Sequence, residues 1–216
     1  VKHGNIIVQE SDETTHYSIV DKYGNSVSVT TTLNNSYGSK VFVEEGGFFL
    51  NNEMDDFSSK PGHPNFYGLI GSEANSIQPG KRMLSSMTPS IILKDNKPSL
   101  IVGTPGGSTI ITSVLQTILN VYEFDMSVQE AVNAPRFHHQ WLPDVVIFEE
   151  GIIDKEKDSI LKSKSYFVIS LPIEVDTGGM SARSSIGAVD AILIDEEGKV
   201  STGADFRGDD YGEILK

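Results

Sequence analysis

Thr14 opens a β-rich run, Thr15-His16-Tyr17-Ser18-Ile19-Val20, directly after the polar stretch Gln9-Glu10-Ser11-Asp12-Glu13. A Thr hydroxyl attacks an amide carbonyl when a base takes its proton, and the α-amino group of an N-terminal Thr can be that base. The reference pKa of that amino group, ~7.7–8.0, leaves much of it neutral near physiological pH. Such an arrangement requires the peptide bond before Thr14 to be broken. Taken alone, Glu13-Thr14-Thr15 is a weak signal, and an ordinary strand Thr is the favoured reading, because Thr is common in strands.

Acyl transfer also needs donors for the oxyanion. Thr104-Pro105-Gly106-Gly107-Ser108 joins an apolar run to a helical pattern, so two glycine amides can be presented near a helix N-terminus. The same loop also reads as a tight connection without a ligand, and the missing Lys argues against a phosphate loop. Glu53, Asp55 and Asp56 form an acidic knot suited to an ammonium group or a metal. Ser85-Ser86, after Lys81-Arg82, offers hydroxyls beside positive charge, which suits a carboxylate. Both clusters can also be solvated surface. His138-His139 point apart if they lie on a strand, and no third ligand stands at a metal spacing, so no metal is expected. Asn34-Asn35-Ser36 matches a glycosylation triplet.

The elements that must position these groups are legible in outline. Residues 15–20 and 26–32 read as two strands around the turn 21–25. Phe48-Phe49-Leu50 reads as a short buried strand after Gly46-Gly47. Residues 51–90 are irregular, and a long ordered loop of this kind is often functional. Strands are expected at 90–93 and 100–103. A helix is expected over 108–121, with Ile110, Val114, Ile118 and Val121 on one stripe and Ile111, Leu115 and Leu119 on another. Ser127 and Glu130 fit a capping box opening a second helix that stops near Pro135. A third helix is expected at 154–163, followed by strands at 166–170, 188–194 and 200–204. Strands, loop, strands, helices and strands in this order suggest α+β layers rather than a strict βαβ repeat. The boundary falls at 13–14, between a linker or exposed tail (1–13) and the folded unit (14–216).

The 216 residues suffice for one substantial domain. A hydrophobic share of 38% with 22% charged residues is that of an ordinary folded chain. The net charge of -13 argues against nucleic acid and against an anionic membrane surface. With no cysteine, disulfides and zinc–thiolate sites are excluded. No apolar run reaches the ~18 residues of a membrane span, and Val1 to Asn5 do not read as a signal peptide.

Thr14-Thr15-His16-Tyr17-Ser18, Thr30-Thr31-Thr32-Leu33-Asn34 and Leu50-Asn51-Asn52-Glu53-Met54-Asp55-Asp56-Phe57 together resemble the small subunit of γ-glutamyltranspeptidases. So do Lys60-Pro61-Gly62, Lys81-Arg82-Met83-Leu84-Ser85-Ser86-Met87 and Pro105-Gly106-Gly107-Ser108. Ala134-Pro135-Arg136-Phe137-His138 and Gln140-Trp141-Leu142-Pro143 complete the set. Met83 departs from the family's frequent Pro, and Asp205-Phe206-Arg207 resembles a variant of its Asp-Pro-Arg.

The resemblance implies the light-subunit half of an N-terminal nucleophile hydrolase, a four-layer αββα sandwich shared with a large subunit cut from the same precursor. It implies hydrolysis or transfer of γ-glutamyl amides such as glutathione, without a cofactor, in the periplasm or outside the cell. Thr14 would be the nucleophile and Thr32 would orient it. Asn34, Glu53 and Asp56 would hold the substrate's α-ammonium, and Ser85 and Ser86 its α-carboxylate. Gly106 and Gly107 would form the oxyanion hole, and the large subunit would add an Arg for the carboxylate. Two other readings stay open: a related acylase or poly-γ-glutamate-processing enzyme, and an uncut fragment that only binds a partner.

Overall fold

The computed structural model describes residues 14–65, 68–172 and 186–215, so the expected linker at 1–13 lies outside the described residues. The first two strands, β1 (Thr15–Val20) and β2 (Ser26–Thr31), pair antiparallel in a register running from Thr15↔Thr31 to Val20↔Ser26. Asp21 shapes the turn between them, its Oδ1 accepting from the amides of Tyr23 at 2.8 Å and Asn25 at 2.9 Å. A two-rung hairpin follows, β3 (Phe42–Val43) with β4 (Phe48–Phe49). It corrects the expectation of a buried strand there. Phe48 is 53% exposed and Leu50 43%, because the segment pairs only with another two-residue strand.

The central sheet is antiparallel throughout, in the order β11-β10-β6-β5. It comprises β5 (Ser90–Lys94), β6 (Lys97–Gly103), β10 (Asp190–Ile194) and β11 (Val200–Ala204). One face carries α1 (Ile110–Tyr122) and α2 (Val128–Asn133). The core forms there, where Leu100 and Val102 of β6 meet Val114 of α1 and Val132 of α2. The other face carries the β1–β2 hairpin, packed across β5, β6 and β10. Leu100, Ile101 and Val102 are all fully buried, as expected of a strand covered on both faces.

The described residues therefore stack as three layers, with the hairpin on one face of the central sheet and the helices on the other. Residues 107–109 turn as a 3-10 segment before α1, a turn earlier than the α-helix proper. Of the two apolar stripes on α1, the one through Ile110 and Val114 faces the sheet, whereas Ile111, Leu115 and Leu119 are exposed.

A smaller sheet joins β7 (Phe137–His138), β8 (Val146–Glu149) and β9 (Val168–Leu171). The β8–β9 pair is parallel, and α3 (Lys155–Ser163) makes the crossover that a parallel pair needs. Phe137–His138 and Val146–Glu149 escape a sequence reading. The first is too short to show alternation, and the second is an apolar run with no period of its own.

Candidate active site

The register of β1 and β2 sets the first piece. Beyond the last pair, Thr15↔Thr31, the next rung is Thr14 opposite Thr32. Side chains alternate along a strand, so Thr14 and Thr32 share the face of His16 and Thr30. The Thr14 hydroxyl donates to the Thr32 hydroxyl at 2.9 Å. Thr32 Oγ1 is itself fixed by the Asn34 amide, which donates to it at 2.9 Å.

The face they share is the inner one. His16 is buried, with Nδ1 2.8 Å from the Thr30 hydroxyl and Nε2 3.0 Å from that of Ser18. Its ring lies where a side chain on Gly103 would be, since a Cβ there would come within 2.2 Å of it. Burial lowers the His16 pKa to about 4, so the imidazole stays neutral and sets no positive charge near Thr14. Because β6 ends at Gly103, the loop Thr104 to Gly107 leaves the sheet beside β1.

In that loop Gly106 has φ 130° and Gly107 φ 54°, conformations open to glycine and strained for other residues. Gly106 O accepts from both the amide and the hydroxyl of Thr109, at 3.0 and 2.8 Å, which locks the turn into the first residues of the helix. The two glycine amides thus stand at the N-terminal end of a helical segment, where negative charge is favoured.

Asn34 is buried with φ 74°, and its carboxamide donates to Asn52 O at 3.2 Å. That engagement closes it to glycosylation. The Asn35 amide returns a bond to Asn52 Oδ1 at 3.1 Å, so the two Asn segments are stitched together. Asn52 leads into the 3-10 turn Glu53–Asp56. There the Glu53 and Asp56 carboxyls face each other, half-buried. Burial first, and then the neighbouring Asp56 charge, push Glu53 up to about 7. Burial and the Asp55 charge raise Asp56 as well. One Glu53 oxygen is buried without a partner among the described residues. Two carboxyls pressed together in this way are relieved by a cation.

Ser85 lies exposed and Ser86 half-buried on the loop that follows Lys81. Ser85 Oγ accepts from the Met87 amide at 3.2 Å. This loop is tied to the acidic turn through Asn75: its Nδ2 donates to Asp56 O at 2.7 Å, and its Oδ1 accepts from the Leu84 amide at 2.9 Å. The structure thus pairs Thr14 with Thr32, links Asn34 to both through backbone, and joins the Glu53–Asp56 turn to the Ser85–Ser86 loop.

Only His138 lies on a strand, and the two imidazoles take separate partners. His138 is buried between Thr112 at 2.8 Å and Gln140 at 2.9 Å, and His139 meets Asp144 at 3.2 Å.

Sequence reasoning missed a buried ionic network behind the glycine loop. Arg207 grips Glu149 through Nε at 2.8 Å and Nη2 at 2.6 Å, and reaches Asp205 through Nη1 at 2.9 Å. Arg136 Nη2 donates to Asp205, while Arg136 Nη1 donates to Ile186 O at 2.7 Å. All four side chains are essentially inaccessible to solvent, and two positive charges balance two negative ones. Burial alone would raise Asp205, but Arg136 and Arg207 outweigh it and hold the carboxyl below its ordinary range. Ala188 N donates to Thr104 Oγ1 at 2.9 Å, so the strap held by the network buttresses the start of the glycine loop. Ala134-Pro135-Arg136 and Asp205-Phe206-Arg207 were the available signals. Their meaning depended on a contact across 69 residues.

A family model describing γ-glutamyltranspeptidase matches residues 2–215. The chain is 44% identical over 210 residues to a glutathione hydrolase proenzyme of Escherichia coli, covering 97% of this chain and 34% of that protein. It therefore spans about a third of the curated relatives it matches. Among solved structures, the T380A mutant of Helicobacter pylori γ-glutamyltranspeptidase is 47% identical with a TM-score of 0.79, over 90% of this chain and 100% of that one. A Pseudomonas nitroreducens γ-glutamyltranspeptidase complexed with L-DON is 46% identical with a TM-score of 0.81, over 94% and 100%. The chain belongs to the γ-glutamyltranspeptidase family, with the N-terminal nucleophile hydrolase fold.

Proposed function

We propose that this chain is the catalytic light subunit of a self-cleaving γ-glutamyl hydrolase and transferase, completed by a large subunit from the same precursor. The hydroxyl pair of Thr14 and Thr32 carries the reading. In the uncut chain the Thr14 hydroxyl attacks the preceding carbonyl and its proton passes to the amide nitrogen. The C–N bond breaks to leave an ester, and water then hydrolyses that ester. The α-amino group so released is the base for turnover. It takes the Thr14 hydroxyl proton as Oγ1 attacks the γ-carbonyl of a γ-glutamyl amide. The oxyanion is held by the Gly106 and Gly107 amides, and the leaving amine departs with the proton. Water or an acceptor amine then takes the acyl group.

Substrate recognition follows charge. Glu53, Asp56 and the Asn34 carbonyl oxygen suit an α-ammonium, and the hydroxyls of Ser85 and Ser86 suit an α-carboxylate. The heterodimer is supported by surface and length together. The outer face of the hairpin presents Tyr17 at 47% and Ile19 at 53% exposure, while its inner face is polar. The curated relatives are about three times as long as this chain. An apolar outer face on so short a piece calls for a covering element, and the rest of the precursor is the occupant we assign.

Thr14→Ala tests the reading in the chain co-expressed with the remainder of its precursor. Intact mass should show no fragment beginning at residue 14, and turnover of a γ-glutamyl anilide should be abolished. Cleavage retained in that variant would remove Thr14 from the nucleophile role.

A further inference from the structure

An α-ammonium and an α-carboxylate sit on one carbon, so the groups that receive them must be held at one fixed spacing. Here those groups lie on separate irregular segments, the Glu53–Asp56 turn and the Lys81–Ser86 loop, and no shared strand or helix sets their distance. One side chain bridges them. The Asn75 carboxamide donates to Asp56 O at 2.7 Å and accepts from the Leu84 amide at 2.9 Å. Its own backbone is anchored as well: Asn75 O accepts from the Ser58 amide at 2.9 Å, and Asn75 N donates to Ser72 O at 3.0 Å. Both bonds of the side chain go to main-chain atoms. They therefore fix where the loops run without engaging the Glu53, Asp56, Ser85 or Ser86 side chains themselves.

On the γ-glutamyl reading proposed above, we infer that Asn75 is a positioning residue that sets the spacing between the ammonium-binding turn and the carboxylate-binding loop. Its carboxamide is suited to the task because it offers a donor and an acceptor side by side on one rigid plane. An aspartate of the same shape keeps the acceptor for Leu84 but turns an oxygen toward the Asp56 carbonyl. It should therefore release one loop and keep the other.

The consequence is specific to ligands that span both loops. L-Glutamate carries both α-groups, glutarate lacks the ammonium, and 4-aminobutanoate lacks the α-carboxylate. All three can be measured as competitive inhibitors of γ-glutamyl anilide turnover in the matured heterodimer. In Asn75→Asp, L-glutamate should weaken by about 10-fold, and glutarate and 4-aminobutanoate by less than about 2-fold, because loss of one hydrogen bond falls on the ligand that needs both loops in register. The KM for the anilide should rise while kcat and self-cleavage are kept. Asn75→Ala, which frees both loops, should show the same pattern more strongly.

Equal weakening of all three inhibitors, or no weakening of L-glutamate, overturns the inference. Failure of both variants to self-cleave assigns Asn75 to the fold and overturns it too. A wild-type heterodimer that neither turns over the anilide nor binds L-glutamate is a different result: it overturns the γ-glutamyl reading itself, and this inference with it.

Discussion

Thr14 and Thr32 meet at 2.9 Å through their hydroxyls because the β1–β2 register makes them opposite residues one rung beyond Thr15↔Thr31. The partner of the Thr14 hydroxyl is therefore chosen by the register of the hairpin. Asn34 N–H fixes Thr32, and Thr32 in turn fixes the rotamer of the Thr14 hydroxyl.

Thr32→Val keeps the shape and removes the acceptor. Thr14 then loses its oriented rotamer, and kcat should fall about 10- to 100-fold, the scale expected when a reacting atom is slightly misplaced. Thr32→Ser, which restores a hydroxyl at the same rung, should recover most of the loss. Steady-state rates on a γ-glutamyl anilide decide between orientation and simple packing: packing predicts that Ser is the worse variant.

Glu53 and Asp56 give the site a pH dependence whose sign can be worked out. Glu53 is raised to about 7 by burial and by Asp56, so without ligand it is largely protonated below that pH. An ammonium ligand requires the charged form. KM for γ-glutamyl substrates should therefore rise as pH falls from 8 to about 6. Glu53→Gln should flatten that limb of the KM profile, although a limb in kcat from the Thr14 α-amino group would remain. The effect on folding runs the other way. A carboxyl with a raised folded pKa binds more protons when folded, so its contribution to stability declines as pH rises between its ordinary value and about 7. Substrate saturation curves between pH 8 and about 6 test the first claim, and melting curves of wild type and Glu53→Gln from the ordinary carboxyl value up to about 7 test the second.

The parts of this site that local sequence pattern could reach are those built by neighbours. The β1–β2 hairpin follows from alternation and from the turn at Asp21. Helix α2 begins where Ser127 and Glu130 make their reciprocal cap, with Glu130 N donating to Ser127 Oγ at 3.3 Å and Ser127 N donating to Glu130 Oε2 at 3.0 Å. The two stripes on α1 were visible, but not which one faced the sheet, since both are equally apolar. The Glu53–Asp56 turn and the Ser85 loop have no periodicity at all. Their arrangement rests on single carboxamides, such as that of Asn75, reaching to main-chain atoms 9 and 19 residues away. The Arg136–Asp205 contact is out of reach for the same reason. An Arg and an Asp look like surface residues until burial removes the water that would otherwise serve them.

That burial makes the Arg207 network a stability element. Arg207→Met would leave Glu149 charged, inaccessible and without its two-pronged partner. Breaking a buried pair from one side costs about 3–5 kcal/mol, a large part of the stability of a typical domain. The expected outcome is a matured heterodimer with a melting temperature lower by several degrees, or a precursor that fails to mature. Glu149→Gln added to Arg207→Met should cost less than the sum of the two single changes, because the second removes the charge that the first stranded. Additive losses would mean that the two residues do not act as a pair.

The outer face of the hairpin yields a prediction about assembly. Tyr17 and Val29 face each other across the strands, as do Ile19 and Val27, and these pairs point away from the central sheet. Polar residues take the inner side: His16, Ser18, Ser28 and Thr30, with Ser28 Oγ donating to Val102 O at 3.2 Å. An isolated hairpin would place its apolar side inward, so this reversed pattern implies a second layer outside it. Replacing Tyr17 and Ile19 with Ser and Thr removes most of that apolar surface without touching the Thr14–Thr32 rung. On the scale of ~25 cal/mol per Å² buried, the two changes should weaken association with the large subunit by about 2–4 kcal/mol. Size-exclusion chromatography of the co-expressed subunits should then show the light chain separating from its partner at concentrations where the wild type remains whole. A variant that stays as tightly associated as wild type would move the contact off the hairpin, to the exposed stripe of Ile111, Leu115 and Leu119 on α1.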